Sequence, residues 1–404
     1  MNKKIEITNK IFICTIIIIT IFAVLIRIPL IHNITVDYKV YLEKWFEELK
    51  SSGGILGITN DIGNYNFPYL TILGILTYFP VNSLISIKAV SIIFDFALAI
   101  ASMILVSRLV KEDKKYFMLI TYFLILFLPT VTLNSAYWAQ CDSIYTFFVI
   151  VSLIKLIDKK HVQSFIYLGI AFSFKLQAVF IIPMYIIYFM KEKENRKKLY
   201  YFFIIPIMNV IMCLPYIIIK KDIISVLKVY FNQTQQHNDM ISLNLPNIYT
   251  LICKQTKTPY LIVNSNEWLS KVMVIITISI FFILLVLICQ KKKNINDNNI
   301  LLLGLISVLI CTFLLPFMHE RYMYVADVLS VILSMYYFSK RDYKKVLWPI
   351  SIQIISLCSY IAYFSGYSIH FIDRKIFTIL YITVICTSIM NFFLKQGGNL
   401  KDER

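Results

Sequence analysis

Long apolar runs recur along this chain from residue 11 to residue 394, and most of its charges fall in the segments between them. Of 404 residues, 58% are hydrophobic and only 16% are charged. A soluble domain has too few apolar positions for such a pattern, whereas a succession of membrane spans requires it. The runs cover residues 11–31, 67–81, 84–110, 116–133, 143–157, 164–190, 199–219, 269–290, 300–316, 322–338, 346–364 and 376–394. The first is too long for a cleaved signal peptide and lacks a small-residue cleavage site, so it reads as a retained first span. The net charge of +17 sits in short clusters with no basic face or arm, which argues against nucleic acid as a partner. The eight cysteines are scattered, mostly within apolar runs, with no CxxC pair, and read as small buried hydrophobes.

Basic clusters mark the side of the membrane on which loops stay. They lie at Lys3, Lys4 and Lys10, at Lys111–Lys115, at Lys159–Lys160, at Lys191–Lys198, at Lys291–Lys293, at Lys340–Lys345 and in the C-terminal tail. Strict alternation of every run puts two of these clusters outside. Both conflicts vanish if the short run 67–81, with Pro68 and Pro80, lies in the outer loop without crossing. The run 164–190 must then divide near Lys175 into two short spans. The result is an all-α polytopic membrane protein with about 12 transmembrane helices and both termini on the cytoplasmic side. No repeat or linker divides the chain, so 1–404 reads as a single membrane domain. It holds a module over 10–219, an outer loop over 220–268, and C-terminal helices over 269–404.

This arrangement gathers polar segments on the outer face: 33–66, 134–143, 220–268 and 317–322, with the turn at Lys175–Gln177. Asp37 follows the first span and precedes an amphipathic helix whose apolar residues Tyr38, Tyr41, Leu42, Trp45, Phe46 and Leu49 recur at helical spacing. A carboxylate there can act as a general base toward a hydroxyl, or cap the helix that begins at Tyr38; the two roles are compatible. His319 and Arg321 suit phosphate oxygens, with Glu320 orienting Arg321; the plainer role of His319-Glu320-Arg321-Tyr322 is an interfacial anchor. Lys175 with Gln177 interrupts an apolar run, where a lysine either snorkels or neutralises a phosphate. Asp142, in Trp138-Ala139-Gln140-Cys141-Asp142, is a second acid, a metal ligand or a helix cap. Asp95 reads as a structural bond within a span, Asp327 as a partner of a basic group, and Arg27 as a snorkelling side chain. The amide-rich stretch Asn232–Asp239 either contacts sugar hydroxyls or is a solvated loop. No phosphate-binding Gly-rich loop, HExxH or nucleophile elbow is present, and nothing at ligand spacing argues for a metal.

Four ordered patches, spread over roughly residues 10–335, resemble the GT-C superfamily of polyprenyl-phosphate-sugar-dependent membrane glycosyltransferases. The likeness is nearest to bacterial relatives of the dolichyl-phosphate-glucose glucosyltransferases and to mannosyltransferase-like proteins. The patches are Asp37-Tyr38 with Trp45; Asn64-Tyr65-Asn66-Phe67-Pro68-Tyr69-Leu70; Tyr137 to Asp142 with Lys175-Leu176-Gln177; and His319-Glu320-Arg321. Phe67 stands where the family often has Pro, and Arg321 where eukaryotic members have Lys.

The resemblance implies a GT-C-like fold with the amphipathic helix in the first outer loop, 33–83, and a non-crossing segment within it. It implies inverting transfer of a sugar from a polyprenyl-phosphate donor to a glycan or lipid-linked saccharide of the cell envelope, at the outer face of the cell membrane. Asp37 would be the catalytic base. His319, Glu320, Arg321, Lys175, Gln177, Asp142, Tyr65 and Asn66 would bind substrate, with no metal and no cofactor. Two other readings fit the composition. A polysaccharide polymerase would use a pyrophosphate-linked donor, and a lipid-linked saccharide flippase would place its polar residues along a central path.

Overall fold

The computed structural model describes residues 7–60, 62–233, 239–253, 261–263, 267–292, 294–366 and 373–397. The described residues are nearly all-α, with one small sheet, and each apolar run of the sequence becomes helical. Among the described residues, six helices are long and apolar enough to cross a membrane. They are Asn9–Ile31, Ser83–Leu109, Glu267–Gln290, Asp297–Leu314, Tyr343–Phe364 and Arg374–Leu394. Two bent pairs raise the number to eight if each is one span: Lys114–Phe127 with Pro129–Tyr137, bent by 48°, and Leu199–Met212 with Leu214–Lys220, bent by 54°.

Among the described residues the count is thus six to eight, below the expected twelve, and the reason is local chemistry. Leu128 is extended ahead of Pro129, where the ring forbids continuation of the preceding helix. Pro215 opens the second arm of the other bend. Lys175 is extended and divides His161–Phe174 from Leu176–Lys191, at the position the charge pattern requires. The run at 67–81 yields only Phe67–Leu76, ten residues. At 1.5 Å per residue that is about 15 Å, half the thickness of a hydrocarbon core.

The single domain expected from the absence of linkers resolves into two compact units. One comprises residues 1–178 and 201–233, the other 179–200 and 234–404. In the first, Asp142–Ile157 packs on His161–Phe174 and on Ser83–Leu109, which also packs on Lys114–Phe127. Ile204–Met212 closes against His161–Phe174 at Gly169, where an added Cβ would stand 2.6 Å from Met208 Cβ. In the second unit, Asp297–Leu314 is buried almost throughout and packs on Tyr324–Ser339 and Arg374–Gly397. A helix apolar on every face suits that interior position.

The stretch 220–268, expected as an outer loop, carries regular structure among its described residues. It forms a helix, Ile224–Gln233, and contributes strands to a three-stranded sheet: β1, Met240–Leu243; β2, Leu261–Val263; and β3, Met318–His319, in the order β2-β1-β3. β2 runs antiparallel to β1, and β3 parallel to it. Ile241 and Ile262 pack with Tyr249 and Met273 in a small apolar cluster. The Phe317 N–H donates to the Ile241 carbonyl at 2.8 Å, and the Tyr249 hydroxyl donates to the Leu314 carbonyl at 2.8 Å. The sheet therefore fixes the chain that leaves the helix Asp297–Leu314 and carries His319 and Glu320. Most of the amide-rich stretch, residues 234–238, lies outside the described residues.

Candidate active site

Asp37 lies in a helical turn that runs straight into a π-turn, Tyr38–Leu42, before the helix Glu43–Ser51. Its carboxylate does not cap this helix. Thr35 does: its hydroxyl oxygen accepts the Tyr38 N–H at 3.4 Å and its O–H donates to the Trp138 carbonyl at 3.3 Å. The expected apolar face is real but shifted by the π-turn. Tyr38, Leu42, Phe46 and Leu49 are buried, whereas Tyr41 is exposed. Burial pushes the Tyr38 phenol above its ordinary value, so it stays protonated and shares a 2.8 Å hydrogen bond with Ser83. Upstream, the buried Lys88 donates to the carbonyls of Leu30, at 3.2 Å, and Asn33, at 2.7 Å. A cation at a helix C-terminus is favourable, and this one sets where the chain turns toward Asp37.

Two donors grip one oxygen of Asp37. Trp138 Nε1 lies 3.0 Å from Oδ2 and Gln140 Nε2 lies 3.2 Å from it. Residues i and i+2 of a helix do not share a face. Here they converge because Ala139, between them, has φ of +65°. A second π-turn, Leu133–Tyr137, leads into that kink. Left-handed non-glycine residues and π-turns are sparse, and both concentrate at functional sites. The kink is tied down from behind. Asp95 takes an ion pair from Arg27 at 3.0 Å and a hydrogen bond from the Ser135 hydroxyl, joining the first helix to the second π-turn. Arg27 is thus a buried strut, and not the snorkelling side chain the sequence suggests. Asp95 is the structural bond expected of it.

Asp142 and Lys175 form a buried ion pair, and Asn134 Nδ2 donates to the other carboxylate oxygen at 2.8 Å. The ammonium also stands 5.6 Å from the Tyr65 ring centroid and 5.9 Å from that of Tyr145, within cation–π range. Tyr65 donates its hydroxyl to Gln140 Oε1 at 3.2 Å. Its ring continues a row of aromatics, 5.5 Å from Trp45 and 5.0 Å from Tyr69. Burial, with Cys141 and Asp142 nearby, holds the Tyr69 phenol well above its ordinary value. Gly63, at φ of +64°, lies against the Trp45 ring, where an added Cβ would fall 2.4 Å from Cε2. Asp37, Tyr65, Asp142 and Lys175 are thus brought together within the first unit.

Asn66 has a different environment. It is fully buried, its amide nitrogen lies within 3.1 Å of Ser173 O, Asn209 Oδ1 and the Tyr230 hydroxyl, and its Oδ1 accepts the Phe67 N–H at 2.9 Å. That side chain starts the helix Phe67–Leu76 and staples it to neighbouring segments. Gln177 follows the Lys175 break, and its buried Oε1 has no hydrogen-bond partner among the described residues.

In the second unit, Glu320 is buried and accepts from Asn244 Nδ2 at 2.9 Å. His319 Nδ1 and Arg321 Nη1 each lie 3.9 Å from Glu320 Oε1, and the His319 ring is 5.1 Å from that of Tyr322. Asn244 itself has φ of +67°. Asp327 accepts from the Ser356 hydroxyl at 2.8 Å.

Sequence reasoning quoted Trp138 and Gln140 only as part of a patch and missed them as the partners of Asp37. It missed Asn244 altogether. Among the described residues, no group of three or more His, Cys, Asp or Glu side chains is placed to hold a metal ion. No protein-family model and no curated protein matches the chain.

Proposed function

We propose that the protein is an inverting glycosyltransferase of the GT-C kind. It would transfer a sugar from a polyprenyl-phosphate donor to a hydroxyl of a glycan or lipid-linked saccharide at the outer face of the cell membrane. What carries this reading is Asp37, a partly exposed carboxylate beside the first long apolar helix, gripped on one oxygen by Trp138 and Gln140. A base must be held in register with the proton it removes, and two donors on a strained backbone do that. The acceptor hydroxyl gives its proton to the Asp37 carboxylate. The acceptor oxygen forms the new bond to the sugar carbon as the bond from that carbon to the phosphate oxygen breaks. The electron pair leaves on the lipid phosphate.

Lys175 answers the charge that develops there. One of its N–H groups is committed to Asp142, which fixes the ammonium in place, and the others are available to phosphate oxygens. In the second unit, Arg321 and His319 offer the donor types that phosphate oxygens favour, with Glu320 orienting them.

The test is turnover by the purified full-length protein with synthetic polyprenyl monophosphate sugars. Asp37→Asn should lose about 10³-fold in kcat, the range expected for a general base, with its melting temperature unchanged. An Asp37→Asn protein as active as wild type overturns the assignment. Turnover with pyrophosphate-linked donors alone moves the protein to the polymerase class.

A further inference from the structure

Gln140 stands between two groups of fixed polarity. An ionised carboxylate only accepts, so the Gln140 amide must turn its nitrogen toward Asp37, and it does so at 3.2 Å. Its oxygen then faces the other way, where the Tyr65 hydroxyl donates to it at 3.2 Å. A phenol can donate or accept, but this amide leaves it only the donor role. We infer that Tyr65 and Gln140 are positioning residues for Asp37: the Tyr65 hydroxyl locks the Gln140 amide, and the locked amide holds the base.

The inference rests on the glycosyl-transfer reading and gives Tyr65 a role other than substrate contact. Three further observations fit it. Gln140 is 4% exposed, so an amide oxygen deprived of its donor cannot turn to water and is driven to rotate away from Asp37. The Tyr65 ring is itself braced, by Trp45 and Tyr69 at 5.5 and 5.0 Å. The Lys175 ammonium over that ring draws electron density from it, which makes the phenol a stronger donor. Lys175 is thus linked to Asp37 through a cation–π contact with Tyr65 and the hydrogen bonds from Tyr65 to Gln140 and from Gln140 to Asp37.

The test uses full-length protein in detergent with a synthetic polyprenyl monophosphate hexose as donor. Tyr65→Phe keeps the ring and deletes only the O–H. Its kcat should fall about 10-fold, the effect of one weakened hydrogen bond to a charged group, with KM for donor and acceptor within about twofold of wild type. Gln140→Leu should lose more, and adding Tyr65→Phe to it should cost nothing further. A raised KM at unchanged kcat, or fully additive losses, overturns the inference. The same four proteins give a substrate-free cycle in melting temperature. Tyr65→Phe should lower it in the wild-type background but not in the Gln140→Leu background. Additive melting overturns the positioning role alone. Coupled melting in a protein that turns over no donor overturns the glycosyl-transfer reading, and the positioning role with it, while leaving the hydrogen-bonded chain intact.

Discussion

Asp37 and Glu320 are both carboxylates with nitrogen donors around them, and the two surroundings differ in kind. Asp37 is partly exposed, and an indole and an amide are among the donors to it. Glu320 is 3% exposed and sits between a histidine and an arginine, with an asparagine donating to it. Neutral donors hold a carboxylate in place while leaving its charge available to a proton. A flanking guanidinium instead draws on that charge and is itself ordered by it. The first arrangement suits a group that reacts, and the second a group that aims its neighbours. Lys175, whose ammonium stands over the Tyr65 ring, has an acid of its own in Asp142.

The largest effect that can break this comparison is loss of that separate pairing. Removing one member of a buried ion pair leaves an uncompensated charge, which destabilises by about 3–5 kcal/mol. Asp142→Asn and Lys175→Met should each lower the melting temperature steeply. The double variant should be more stable than the sum of the two losses predicts. If either single variant melts like wild type, Lys175 is not held by Asp142 and its charge is free to pair elsewhere.

Glu320→Gln should cost less, about 1–3 kcal/mol, because Asn244 can still donate to the remaining amide oxygen while the attraction to His319 and Arg321 is lost. Its kinetic signature should be a higher KM for the donor at nearly constant kcat. An effect of Asp37→Asn size on kcat would erase the distinction between the two acids. Trp138→Phe, which removes one of the two donors to Asp37 Oδ2, should lower kcat about tenfold and leave KM unchanged.

Much of the frame was legible in the sequence, because it follows from length and charge alone. Lys175 was expected to divide its apolar run, and the helix does break there. The run at 67–81 read as short for a span, and its helix spans ten residues. Asp37 stood out as an acid beside a first span. The site's partners were not legible, for physical reasons. Trp138 and Gln140 meet at one oxygen only because Ala139 is left-handed, and an alanine gives no hint of that, whereas a glycine would. Asn66 reads like a loop residue available to substrate, yet its partners Ser173, Asn209 and Tyr230 lie more than 100 residues away. Asn244 was hidden because Met240–Leu243 reads as part of a polar loop until β2 and β3 flank it.

Ala139→Gly gives the smallest effect and the finest test of the kink. A left-handed alanine is strained by roughly 1–2 kcal/mol, and glycine relieves that strain. Glycine also gains freedom in the unfolded chain, which destabilises by roughly 0.4–1 kcal/mol. The two nearly cancel, so the melting temperature should move by only a degree or two. The kinetics carry the information. If the kink is held by Thr35, Ser135 and the paired donors on Asp37, glycine keeps the same backbone and kcat stays within about threefold, on the scale of less than one kcal/mol of barrier. If the alanine side chain itself confines the turn, glycine lets Trp138 and Gln140 drift apart, and kcat falls toward the Trp138→Phe value. Ala139→Val separates backbone from side-chain causes, because a β-branched residue is excluded from this conformation and should lose both stability and turnover. Equal behaviour of the glycine and valine variants would mean that the positive φ at residue 139 is not what brings the two donors to Asp37.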